Sequence, residues 1–236
     1  VPVKGNCPAK GESGYKSNWE YLNEDIDYEC FQDSRDNQYY KTVVIGEQTW
    51  LAENLNYGDE TRTPNLKDGN WCYDDDPKNC EAYGHLYTWA ASMDLGSEYN
   101  SKLAGDLIKE KHQGICPSGW HVPNSDEWDV LKSYVDGLDG VSDNEGYWLK
   151  ATSGWSDAAE IVGNGIDGVG FAALPSGIRH FNIKFLNLPS YASFWGATEG
   201  DDRSDNLRSL GWRESYLNGD DEGYKSNGNP VRCLKD

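Results

Sequence analysis

The stretch CPSGWHVPNSDEW, Cys116–Trp128, and the segment VRCLKD, Val231–Asp236, decide the fold together. In the first, Pro123 stands just before a helix start, Asn124 is placed to cap it, and Glu127 three residues on completes a capping-box pattern. Trp128, Leu131 and Val135 then fall on one helical face, and Gly137 and Gly140 supply the stop. The second segment is a short cysteine-bearing strand candidate. A bond read between Cys116 and Cys233 closes about half of the chain into one covalent loop.

Outward from that pair, the first 30 residues are polar and weakly periodic, and form an N-terminal extension that a Cys7–Cys30 bond would tie down. From residue 31 to 236 the pattern is that of a folded domain. YYKTVVIGEQTWL, Tyr39–Leu51, alternates and is β-branched, with a hairpin turn at Gly46-Glu47. WCYDDDPKNC reads as an acidic loop closed by a Cys72–Cys80 ring. Leu86, Trp89, Ala90 and Met93 make a first helical stripe, with a stop at Asp94-Leu95-Gly96. Beyond Gly140 the sequence predicts no further helix. Short strand candidates alternate there with loops rich in Gly, Asn, Asp and Pro, so the order is that of an α+β module.

Composition narrows the function classes. The 236 residues include 40 Asp and Glu against 21 Lys and Arg, a net charge of -19. Such a surface repels phosphate backbones and anionic bilayers, which disfavours nucleic-acid partners and membrane docking. No apolar run reaches the roughly 18 residues of a membrane span. Six cysteines without a CxxC pair predict three disulfides and an oxidising compartment, hence a secreted or cell-surface chain, and the four scattered histidines argue against zinc. Apolar content rests on 10 Trp and 15 Tyr, whose rings suit both cores and wet binding surfaces.

Six blocks, in order along the chain, carry a family likeness: DNQYYKTVVIGEQTWLAENLNY, CEAYGHLYTWAASMD, GICPSGWHVPNSDEW, GFAALPSG, FWGATE and VRCLKD. They resemble the Fibrobacter succinogenes major paralogous domain (FISUMP) family. That resemblance implies a secreted or surface protein with a suspected part in attachment to plant polysaccharide. More remotely the layout is similar to the C-type lectin-like fold, shared with formylglycine-generating enzymes. It implies two helices packed on a mostly antiparallel sheet with long loops, and a final strand, Val231–Lys235, paired with Lys41–Ile45. The EPN and WND signatures of calcium-dependent lectins are absent, and the cysteine chemistry of the enzymes has no counterpart beyond Cys233.

Within that frame the candidate ligand-binding residues are Tyr191, Trp212 and Tyr216, set among small polar residues, with Arg179 and Arg213. Trp148, Trp155 and Tyr224 are weaker members of the same group, while Trp50, Trp128 and Trp195 are expected in the core. Calcium is the one cofactor entertained. Asp201 and Asp202 with Asp205, and Asp220 with Asp221, are dense in hard oxygen ligands, although neither loop matches an EF-hand. The competing reading is two solvated loop tips. No GxSxG elbow occurs, and 40 carboxylates make a chance glycosidase pair unavoidable, so no catalytic set is assigned. His121 and Arg232 are expected to be structural. The leading expectation is a non-catalytic module adhering to polysaccharide or a cell-surface protein. The alternatives are a self-associating subunit of a surface assembly and, less favoured, a formylglycine-type enzyme.

Overall fold

The computed structural model describes residues 7–141, 143–157 and 163–236, with side chains throughout except at residues 205, 206 and 220–222. The strands in chain order begin with β1 (Glu29–Gln32), β2 (Tyr39–Ile45), β3 (Gln48–Leu51), β4 (Asn70–Trp71), β5 (Leu86–Tyr87) and β6 (Trp120–His121). The later ones are β7 (Ile178–His180), β8 (Lys184–Leu186), β9 (Tyr191–Phe194), β10 (Ser204–Gly211), β11 (Asn218–Tyr224) and β12 (Leu234–Lys235). Among the described residues four α helices accompany them: α1 (Pro77–Tyr83), α2 (Trp89–Ser92), α3 (Ser125–Asp136) and α4 (Glu145–Leu149). This is an α+β chain of small antiparallel sheets held by three disulfides.

The central sheet has the order β1-β2-β3-β12-β6. Its β2–β3 hairpin turns at Gly46-Glu47 as the sequence predicts: Ile45 faces Gln48, and Gly46 takes a φ of 61° at the first turn position. Because neighbouring strand residues point to opposite faces, this sheet separates two cores. Leu51 and Cys233 face one, with Tyr40, Trp89 and Trp195; Trp50 and Leu234 face the other. The second core is ring-rich. Trp50 meets Trp128 at 4.9 Å between centroids, and Phe171 and Phe194 pack edge-on and tilted around them. Trp50, Trp128 and Trp195 are all buried, as expected of them.

Helix α3 also follows its sequence. The Asn124 side chain accepts the Glu127 N–H, and the Glu127 carboxylate accepts the Asn124 N–H. Trp128, Leu131 and Val135 are its buried face. Glu127 does a second job: its Oε1 lies 2.9 Å from His121 Nε2, while His121 Nδ1 lies 2.8 Å from Asp236 Oδ1. Two carboxylates on opposite ring nitrogens require the doubly protonated imidazolium. Burial pulls the His121 pKa down, but the two hydrogen-bonded carboxylates outweigh it and raise it above the ordinary 6.5. The sign of the linkage follows. Folding holds this proton more tightly, so its stability contribution is complete below about pH 6.5 and is lost as pH rises through the raised value. Melting temperature should therefore fall between pH 6 and alkaline pH, as read by thermal denaturation over a pH series, and His121→Asn should flatten that slope. An unchanged slope in the variant would contradict the pairing.

Several expectations are corrected. The final strand pairs with β3 and β6, not with Lys41–Ile45, because β3 is the inner strand of the hairpin and leaves β1 to cover the outer edge of β2. The Leu86–Met93 stripe is buried as predicted, but only Trp89–Ser92 is helical. Leu86 and Tyr87 instead pair with β4, Tyr87 also bonds Asn229, and Thr88 caps the short helix. Ala91 and Ser92 are buried as well, so apolar spacing there reports immersion in the core more than one helical face. The acidic Cys72–Cys80 segment is not only a loop. Asp76 caps α1, Pro77 opens it and Gly84 ends it. A further helix, α4, was not predicted in the second half. Finally, the two acidic segments fare differently: Asp201, Asp202 and Arg203 form an exposed turn, as the loop-tip reading has it, whereas Asp205, Asp220 and Asp221 lie within strands. Those strands are β10 and β11, which pair with each other.

The segment before β1 is docked by two buried carboxylates, Glu53 and Asp167. Glu53 accepts Lys16 Nζ at 2.9 Å, Asn18 Nδ2 at 3.0 Å, Trp19 Nε1 at 2.7 Å and the Lys41 N–H at 2.9 Å. Asp167 plays the same part further along. It accepts the Asn23 N–H, the Tyr28 hydroxyl and the Ala172 N–H, and burial raises its pKa to about 6.

Candidate binding surfaces

The predicted ligand residues divide into three places. Tyr191 begins β9 and pairs in register with Gly211, the last residue of β10. Trp212 follows directly, bonding the Ser190 carbonyl through its N–H, so Tyr191 and Trp212 come together at one end of the three-stranded sheet. The Arg213 guanidinium lies 4.4 Å from the Trp212 ring centroid. Trp212 is half-buried against the second core, which leaves part of the ring open. Tyr216 is not part of this group. Its backbone closes on Gly146, where a Cβ would sit 2.6 Å from its carbonyl carbon, and its side chain is 48% exposed.

Arg179 stands elsewhere again, in β7. Its guanidinium stacks 3.6 Å over the Trp71 ring, and its backbone exchanges hydrogen bonds with Gly228. Burial lowers its pKa, partly offset by the Asp75 charge. The cation is therefore spent on an internal stack. Of the weaker aromatic candidates, Trp155 is buried and Trp148 half-buried, while Tyr224 is exposed.

For the calcium expectation, Asp201 Oδ1 accepts the N–H groups of Arg203 and Ser204, which shapes the turn into β10 and holds its carboxyl below the usual range. Asp202 is exposed. The side chains of Asp205, Asp220 and Asp221 lie outside the described residues. Among those described, one group has the composition of a metal site: the sulfurs of Cys72 and Cys80 with His85. The two sulfurs are bonded to each other, so neither offers a thiolate. Arg232 is structural, as expected, and donates to carbonyls.

A concave surface that sequence reasoning missed lies on the N-terminal side. The segment Lys10–Glu20 and the β1–β2 turn enclose an open groove of about 720 Å³. Tyr15 and Tyr39 supply its rings, and Asn37, Gln38 and Asn56 its amides. Gly14, at a φ of 90°, lies against Tyr39, where a Cβ would come within 3.0 Å of the ring. The Gln38 and Asn56 amides bond each other, which fixes the floor. Nothing in the local sequence signals this. The groove exists because Glu53, more than 30 residues away in sequence, pins the N-terminal segment over the turn.

Fold and surfaces together define a disulfide-stapled α+β module with ring-lined surface features and every one of its six cysteines paired. Residues 43–235 match the Fibrobacter succinogenes major domain, and the chain belongs to that family. No curated protein and no solved structure matches the chain. Most of the groove's lining residues precede the matched span.

Proposed function

We propose that this chain is a secreted, non-catalytic module that holds polysaccharide of the plant cell wall, on a scaffold of C-type lectin-like type. The groove between Tyr15 and Tyr39 carries the reading. Its volume is in the range of ligand clefts, and it combines flat rings with fixed amides that can bond hydroxyl groups. The sheet end at Tyr191, Trp212 and Arg213 offers a second, flatter contact for the same polymer. Three disulfides fit an oxidising compartment outside the cell. Formylglycine-type chemistry would need a free thiol, and all six cysteines are bonded.

Retention on insoluble cellulose, xylan and pectin tests the proposal. The folded parent should be retained by at least one of them. Tyr39→Ala should weaken that binding about tenfold, equivalent to about 1.4 kcal/mol. Trp212→Ala should weaken it less. If Trp212→Ala alone releases the protein, the sheet end is the site. Failure of the folded parent to bind any of the three would end the reading.

A further inference from the structure

The β7–β8 hairpin presents a basic, apolar knob on an acidic protein. No Asp or Glu occurs between Gly168 and Thr198, in a chain that has 40 of them. The hairpin lies inside this stretch; Arg179 at its base is held against Trp71, and His180 and the exposed Lys184 flank its loop. Its loop is the three residues between His180 and Lys184, closed by the Ile183 N–H on the His180 carbonyl at 2.9 Å. Three-residue hairpin loops end in a left-handed residue, a place suited to Gly or Asn. Here Ile183 holds it, at a φ of 64° and 76% exposed. A β-branched side chain in that conformation is strained, and strain at an exposed tip points to use of the side chain. Phe181 beside it is 51% exposed and packs edge-on against the exposed Tyr224.

A complementary groove of about 510 Å³ lies between β2 and α3. Its apolar walls include Val44, 63% exposed, with Ile26, Tyr134 and Leu138. Asp27 and Glu29 line it, and no Lys or Arg does. Both carboxylates are exposed, and neither makes a salt bridge among the described residues. Knob and groove share no residue.

We propose that the β7–β8 hairpin of one copy of this chain docks into the β2–α3 groove of a second, Phe181 and Ile183 entering the apolar walls and Lys184 meeting Asp27 and Glu29. An aliphatic tip suits a protein groove better than a sugar face, so the occupant is another copy, not the polysaccharide of the preceding proposal. A knob of this size buries little area, which places the association in the weak class.

Sedimentation equilibrium over a hundredfold concentration range is the test. The weight-average mass should rise above the 26.4 kDa of one chain, and less steeply at high salt. Ile183→Gly relieves the backbone, so its melting temperature should hold or rise while association weakens at least tenfold. Lys184→Glu should weaken it similarly, and combining Lys184→Glu with Glu29→Lys should restore it. A parent that stays at monomer mass throughout overturns the proposal. So does an Ile183→Gly variant that associates like the parent, a double reversal that recovers nothing, or a monomer that co-sediments with anionic vesicles and so assigns the hairpin to a lipid surface.

Discussion

Replacing Cys116 and Cys233 together by alanine is expected to lower the unfolding free energy by about 3–5 kcal/mol. The bond spans 117 residues, and in the chain-entropy account a loop of that length restrains the unfolded chain by about 5 kcal/mol. Both cysteines are fully buried in the first core, so alanine also removes packed sulfur there. For a chain of this size the melting temperature should fall by roughly 10 °C. The Cys72–Cys80 pair, with a separation of 8, is the internal comparison and should cost about half as much. Calorimetry on the two double variants measures both. If the short ring proved the costlier loss, loop closure would not be what the long bond contributes.

Arg232→Met should cost about 3–5 kcal/mol, the range for stripping one partner from a buried charged network. The guanidinium is fully buried and lies 4.4 Å over the Phe171 ring. It donates to Asn54 Oδ1 through Nε and Nη2, and to the Leu51 and Phe171 carbonyls through Nη1. Burial pulls its pKa down to about 9, with Glu53 and Asp167 opposing, so the group remains a cation at neutral pH. Methionine matches much of the volume but strands three acceptors without donors. Arg232→Lys should recover less than half of the loss, because one ammonium cannot span acceptors set around a planar fork. Urea unfolding checks this, and a methionine variant within about 1 kcal/mol of the parent would refute the network's role.

Arg232 also marks how far the sequence reads. Its position beside Cys233 on the closing strand indicates a structural cation. That its partners are Asn54, Leu51 and Phe171 depends on which strand lies next to β12. The resemblance put Lys41–Ile45 there, and the structure puts β3 and β6. Strand neighbours are chosen by packing of both faces at once, and a period-two pattern records only which residues point inward.

Local chemistry alone determined the capping box at Asn124 and Glu127, the turn at Gly46, the buried face of α3 and the need for disulfides. Each rests on residues within a few positions of one another, or on a count. Tertiary structure decided the rest. It made strands of Ser204–Gly211 and Asn218–Tyr224, whose acidic residues have little strand preference, because each supplies the other's backbone partners. It brought Tyr191 to Trp212 and sent Arg179 to Trp71. It formed the Tyr15–Tyr39 groove by pinning a distant segment on Glu53. Those contacts join residues tens of positions apart, and a pairing at that range is set by the shape of the whole core, which no single stretch of sequence contains.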